Sequence, residues 1–212
     1  TGTNGKTTTQ NAVASILKYS GHKVLANKSG SNMRRGLLSL FIKKCSIGGG
    51  LNYEFAVLEI EEATMPKVVQ ELNPVQIVIT NLYRDQLDAY GEIERTKMMF
   101  RRALELSPQA TVVINNDDPQ LLGLTKDLGN KVVTYAIDPE YLLEFQYEGK
   151  QAENLGRMNG KKADLTAYKI IINEDLGTAF RVGTDRFAFA SHGIFNVYTA
   201  LPAIPSCLFS GF

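Results

Sequence analysis

Cysteine is scarce in this chain, with only Cys45 and Cys207 among 212 residues. Two thiols cannot build a disulfide framework or a four-thiolate zinc site, so both are expected to be free and buried. An excess of charge of one sign is missing too. With 23 Lys and Arg against 22 Asp and Glu, the formal net charge is +1. That balance argues against the global electrostatic bias of a nucleic-acid-binding or anionic-membrane protein and leaves only local patches open. No apolar run reaches the roughly 18 to 20 residues that a bilayer span requires, and no charged-then-apolar signal segment opens the chain. A cytoplasmic protein that does not span the membrane is the expectation. Histidine is limited to His22 and His192, each isolated beside a glycine and read as structural. Internal repeats and low-complexity tracts are absent.

The residues present, 44% hydrophobic and 21% charged, describe a globular chain and exclude disorder, collagen and coiled coil. Short β-branched runs at Lys23–Ala26, Phe55–Ile60, Val75–Thr80, Thr111–Asn115 and Val132–Ala136 alternate with stretches of helical spacing. The helices are expected over Thr7–Tyr19, Arg34–Lys44, Met65–Leu72, Ile93–Leu106 and Pro119–Leu128. This alternation predicts an α/β fold, a doubly wound and mostly parallel sheet covered by helices. Gly21 marks the end of the first helix. Asp117-Asp118-Pro119 supplies an acidic cap and a first-turn proline for the last. The core is expected over residues 1–137. Residues 138–190, with strands at Thr166–Asn173 and Ala179–Ala190, read as a small antiparallel β appendage. Residues 191–212 begin like a helix that Pro202 and Pro205 interrupt, and read as a linker.

The most specific motif opens the chain, Thr1-Gly2-Thr3-Asn4-Gly5-Lys6-Thr7-Thr8-Thr9, with the Gly-Lys-Thr core of a phosphate-binding loop. Glycines let backbone N–H groups converge on phosphate oxygens, and the following helix offers its positive end. A lysine then reaches the terminal phosphates while a hydroxyl ligates magnesium. Lys6 and Thr7 fill those last two roles; a helix-starting glycine turn is the plainer alternative. Glu59, in Leu58-Glu59-Ile60-Glu61-Glu62, follows a strand at the edge where ligands bind in doubly wound sheets. With Thr7 it would suffice for magnesium, which uses one or two carboxylates beside phosphates and water. A solvated acidic turn is the competing reading. The polar segment Thr80–Glu92 lies at the same sheet edge, where Asp85 and Asp88 can share one face of a turn to ligate a second cation or orient a nucleophile, or simply form a surface loop. Lys97 sits on the next helix, placed either towards the nucleotide site or in solvent.

Taken in this order, the segments resemble the ATP-binding central domain of the Mur ligase family, whose members form amide bonds in peptidoglycan precursors. Thr1–Thr9 is similar to the family's Gly-Thr-Asn-Gly-Lys-Thr loop, Glu59 to its metal-binding glutamate, and Asn115-Asn116-Asp117-Asp118-Pro119 to its Asn-Ala-Asp-Asp-Pro segment. Asn27–Gly36, Asn81–Glu92 and Gly193–Tyr198 look like the MurT branch, and Gln86 stands where most members carry histidine. The resemblance implies that ATP is held by Gly2, Thr3, Asn4, Gly5, Lys6, Thr7, Thr8 and Asn196. It implies magnesium on Thr7 and Glu59, and a substrate or second-metal loop drawn from Asn32, Asn81, Asp85, Gln86 and Asp88.

It also implies a partner, a GatD-like glutamine amidotransferase subunit, and lipid II as the substrate, amidated on the α-carboxylate of its D-glutamate. Another Mur-type or folylpolyglutamate-type ligase, or a nucleotide-binding piece without activity, are the alternatives. Two departures stand out. Tyr141–Lys169 lacks the four cysteines of a zinc ribbon found in many of the branch, so no zinc is predicted. Thr199 replaces a second asparagine three residues after Asn196. The chain reads as a fragment, with a strand expected before Thr1 and a further domain expected after Phe212.

Overall fold

The computed structural model describes residues 1–28, 30–82, 90–144, 162–173 and 177–208. Helix α1 (Lys6–Tyr19) buries Val13, Ala14 and Leu17, which recur every three or four residues on one face. It stops where glycine is required. Gly21 takes φ +92°, its N–H donates to Lys18 C=O, and the His22 N–H donates to Leu17 C=O, the paired closure of a Schellman motif. Strands β1 (Val24–Ala26) and β2 (Phe55–Val57) then pair in parallel, joined through α2 (Arg34–Lys44).

The second sheet has six strands in chain order: β3 (Gln76–Ile79), β4 (Thr111–Asn115), β5 (Val132–Ile137), β6 (Leu165–Asn173), β7 (Gly177–Val182) and β8 (Asp185–Phe189). The first four run parallel and the last two turn back antiparallel. The strands after residue 137 pair antiparallel with one another, as the sequence suggests, and join the parallel sheet through β6. β6 continues the parallel sheet by pairing Tyr135 with Leu165 and Ile137 with Ala167. Alternation in the sequence reveals a strand and its faces but not its neighbour, which is why this join was not legible.

Side-chain alternation divides the packing. In β4, Val112 and Ile114 face a cluster built with α3 (Met65–Leu72), α4 (Tyr90–Glu105) and α5 (Pro119–Leu124), whose largest members are Phe100, Leu104 and Leu121. Val113 faces the opposite cluster with Tyr135, Phe180 and α7 (Ile194–Ala200). Within the closing segment, read as the start of a helix and a linker, Val197, Leu201 and Ala203 are buried, the last against α1. Pro205 is tolerated because it falls in the first turn of α8 (Ala203–Leu208), where its missing N–H has no helical partner to lose. A short helix, α6 (Pro139–Glu144), follows β5. Among the described residues no helix is long and apolar enough to cross a membrane. Cys45 and Cys207 are unpaired, as expected, but only half-buried.

Asp118 ties the sheet edge together. One carboxylate oxygen caps α5 through the Gln120 and Leu121 amides, and the other accepts the Leu82 N–H at 2.9 Å. Burial raises its pKa above the ordinary 3.8, opposed by these hydrogen bonds and by the Lys97 charge. Asp118→Ala is expected to cost about 2 kcal/mol in urea unfolding. A carboxylate with a raised folded-state pKa contributes most below its unfolded pKa and loses that contribution as pH rises through the folded value. The cost should therefore be larger in acid than at neutral pH, and a cost that shrinks on acidification would contradict this account.

Candidate active site

The phosphate-binding loop is shaped by its neighbours. Residues 1–3 run beside the end of β3: the Thr80 N–H donates to Thr1 C=O at 2.9 Å and the Thr3 N–H to Asn81 C=O at 3.1 Å. Gly2 adopts φ +127°, and a Cβ there would lie 2.2 Å from Thr80 Oγ1. Gly5 adopts φ +79°, and a Cβ there would lie 2.5 Å from the Thr199 methyl. Only glycine fits either position. Asn81 locks the loop by a reciprocal pair, accepting from the Asn4 N–H at 2.9 Å and donating Nδ2–H to the Asn4 carbonyl at 2.9 Å. It was expected in a substrate loop, yet here it spends both polar groups on the loop backbone.

Helix α1 opens directly from this turn. Its first helical hydrogen bond runs from the Thr9 N–H to Gly5 C=O, so the amides of Lys6, Thr7 and Thr8 belong to the helix's positive end, and no acidic residue occupies the first turn. Lys6 Nζ donates to Gly2 C=O at 2.7 Å and pairs with Glu62 Oε1 at 2.8 Å. Glu62 was part of the acidic motif but not singled out; its position on the turn after β2, facing the loop lysine, is a tertiary fact.

Thr7 and Glu59 lie side by side. Thr7 Oγ1 donates to Glu59 Oε2 at 2.6 Å, and Asn32 Nδ2 donates to Glu59 Oε1 at 3.2 Å. Glu59 is only 5% exposed. What holds it there is Asn27, whose Oδ1 accepts from the Glu59 N–H and from Gln10 Nε2, and whose Nδ2 donates to Glu59 C=O and Ser31 C=O. Gln10 also donates to Val57 C=O at 2.9 Å. Neither Gln10 nor Asn27 stands out in sequence by its own chemistry. Their signal is position, one on the inner face of α1 and the other at the end of β1.

On the other side of the loop lies a cavity of about 360 Å³ lined by Asn4, Gly5, Thr8, Asn81, Asn115, Phe195, Asn196, Tyr198 and Thr199. Asn196 thus faces the loop across this space, with its Nδ2–H donated to His192 C=O at 2.6 Å. Thr199 donates Oγ1–H to Asn196 C=O and accepts Thr9 Oγ1–H on its own carbonyl. Tyr198 donates to Asp117 Oδ2, which also accepts the Ile137 N–H. A second cavity, of about 200 Å³, separates β2 from β3 beneath Lys6 and Glu59.

Asp85, Gln86 and Asp88 lie outside the described residues. Lys97 pairs with Glu94 on its own helix at 2.7 Å, and His22 with Glu54 at 3.4 Å.

The donor set fits a magnesium nucleotide. Thr7 and Glu59 converge two oxygens as a hard divalent cation requires, and the loop beside them ends in the unpaired amides at the start of α1. Asn27→Ala removes four hydrogen bonds from this corner. It is expected to destabilise the fold by about 2 to 4 kcal/mol in chemical denaturation, and a loss under about 1 kcal/mol would show that Glu59 is held by other means.

The profile of the Mur ligase middle domain matches residues 1–204. The MurT subunit of lipid II isoglutaminyl synthase (glutamine-hydrolyzing) from Streptococcus pneumoniae is 32% identical, covering 100% of this chain and 52% of its own length, so the chain spans about half of that relative. Among solved structures, MurF from Acinetobacter baumannii superposes with a TM-score of 0.76 at 16% identity, over 100% of this chain and 41% of that one. MurF from Thermotoga maritima, in complex with ADP, gives 0.68 at 19% identity, over 99% and 44%. Motif, fold and kinship converge, and the chain belongs to the Mur ligase family as a middle domain.

Proposed function

We propose that this chain is the nucleotide-binding core of an ATP-dependent, amide-forming ligase of the MurT type, acting in the cytoplasm on peptidoglycan precursors. The acceptor would be the D-glutamate α-carboxylate of lipid II, and the ammonia would come from a GatD-like glutamine amidotransferase subunit. The observation that carries this reading is the corner formed by Lys6, Thr7 and Glu59 at the open end of α1. Kinship to a protein named as one subunit of a glutamine-hydrolysing synthase supports the choice of branch and of partner. The ADP named in the Thermotoga maritima MurF structure supports the choice of nucleotide.

The chemistry explains why such a corner is needed. A carboxylate does not exchange oxygen for nitrogen in water without a better leaving group, and phosphorylation by ATP supplies one, which ammonia then displaces. Bound magnesium neutralises charge on the transferring phosphoryl group. The chain's own residues do the positioning. Gly2 and Gly5 allow the left-handed turns that lead the loop into α1, and the α1 amides offer donors. Lys6, held on Glu62 and the Gly2 carbonyl, is a cation already paired, so turning to phosphate exchanges one anion for another. Glu59 and Thr7 would supply the oxygens that hold the metal, and Asn32 donates to the second carboxylate oxygen.

In the parent protein with its glutaminase partner and lipid II, Lys6→Ala is expected to lower ATP consumption by about a hundredfold or more. Glu59→Gln is expected to shift the magnesium titration to higher concentration. Unchanged ATP turnover in the first variant would overturn the ligase reading. An unchanged magnesium titration in the second would remove Glu59 from the metal site.

A further inference from the structure

The α2 arm exposes much of its apolar surface. Of the eleven residues of α2 only Leu37 is buried. Leu38 (55% exposed) and Ile42 (66%) sit one turn apart on the outer face, and Ile47 is fully exposed (110%). Ile47 occupies the tip of a tight turn closed by the Ser46 N–H to Gly50 C=O hydrogen bond at 2.9 Å and a bridge between Cys45 and Leu51.

The charges around this ridge are one-sided. From Asn27 to Asn52 the sequence contains Lys28, Arg34, Arg35, Lys43 and Lys44 and no acidic residue, although the whole chain carries only +1. Arg34 is paired with Glu71 at 2.7 Å. Arg35, Lys43 and Lys44 are exposed, and no ion pair involves them among the described residues.

We propose that this arm is a peripheral docking surface for an anionic phospholipid bilayer, with Leu38, Ile42 and Ile47 entering the interface and Arg35, Lys43 and Lys44 lying at headgroup level. Exposed aliphatic side chains flanked by long cations, whose stems can lie along the apolar surface while their heads reach phosphate, are the chemistry of an interfacial helix. Polybasic segments gain affinity from the negative potential of an anionic surface. The arm is rooted at the site, since Asn32, just before α2, hydrogen-bonds Glu59. Docking would hold the loop at the membrane surface. The inference rests on the arm alone and does not depend on the ligase reading.

Co-sedimentation with phosphatidylcholine vesicles, with and without phosphatidylglycerol, tests it. The chain should bind only the anionic vesicles. The double variant Lys43→Glu/Lys44→Glu and the single variant Ile47→Ser should each weaken binding, the first by at least about tenfold. Ile47 lies in an exposed turn and Lys43 and Lys44 are in solvent, so thermal unfolding should not move. No vesicle binding, or binding that the charge reversal leaves intact, would overturn the proposal. So would binding lost in salt but insensitive to Ile47→Ser, which indicates charge attraction without insertion. Binding by this chain that is lost in the full-length parent would mean that another part of the polypeptide covers the arm, and would also overturn it. Nucleotide is absent throughout, so failure here is distinguishable from failure of the ligase activity.

Discussion

The site depends on one buried carboxamide. Asn27 faces three separate pieces of chain, α1 through Gln10, the end of β2 through both backbone groups of Glu59, and its own loop through Ser31. An aliphatic residue there would leave both backbone groups of Glu59 without this partner and take one acceptor from the Gln10 amide, which keeps the Val57 carbonyl; each buried backbone group so orphaned costs about 1 to 3 kcal/mol. An aspartate would preserve the shape but replace two donors by acceptors. Because Asn27 positions the backbone of Glu59, the carboxylate can then be aimed by Thr7 and Asn32 rather than anchored by them. A ligand that draws on the Thr7 oxygen therefore need not dislodge Glu59.

The same economy governs Lys6. A lysine in a narrow loop beneath a helix's positive end is electrostatically unfavourable, and its ion pair with Glu62 offsets that cost in the ligand-free state. The pair is partly exposed, with side-chain exposures of 17% and 21%, so it is screened and exchangeable rather than a deep structural bridge. Glu59 and Glu62 are thus two acids with different tasks only three residues apart. One is fixed by a network and points at the threonine hydroxyl; the other balances the charge of the lysine.

Much of this was legible in the sequence, for identifiable reasons. The glycine turn, Lys6, Thr7 and Glu59 could be read because each role demands a particular chemistry at a particular end of a strand or helix. The strands read at Thr111–Asn115 and Val132–Ala136, observed at Thr111–Asn115 and Val132–Ile137, could be read because the pattern is confined to short β-branched runs. Pairing is decided by residues distant in sequence, so the joining of β6 to β5 and the packing of Val197 and Leu201 into the sheet were invisible. Gln10 and Asn27 were hidden for another reason. A single buried amide looks like any polar residue until its three or four partners are assembled around it.

Thr199 shows how the two halves of the site become one body. Its carbonyl accepts the Thr9 hydroxyl from α1, its own hydroxyl is spent on the Asn196 carbonyl, and its methyl faces the place that any side chain at Gly5 would need. With its hydroxyl hydrogen spent, the Thr199 side chain can offer a ligand in the adjoining cavity only an acceptor lone pair, and a donor would have to come from other walls, among them Asn115 and Asn196. What the threonine contributes is mechanical. It couples the helix that lines the cavity to the loop that would hold phosphate across 190 residues of chain. An asparagine at this position would add a donor and an acceptor to the cavity but would need room against Gly5, where a methyl group already closes the gap. Residue identity at 199 and the absence of a side chain at 5 are therefore a single packing constraint, and neither position can be read alone.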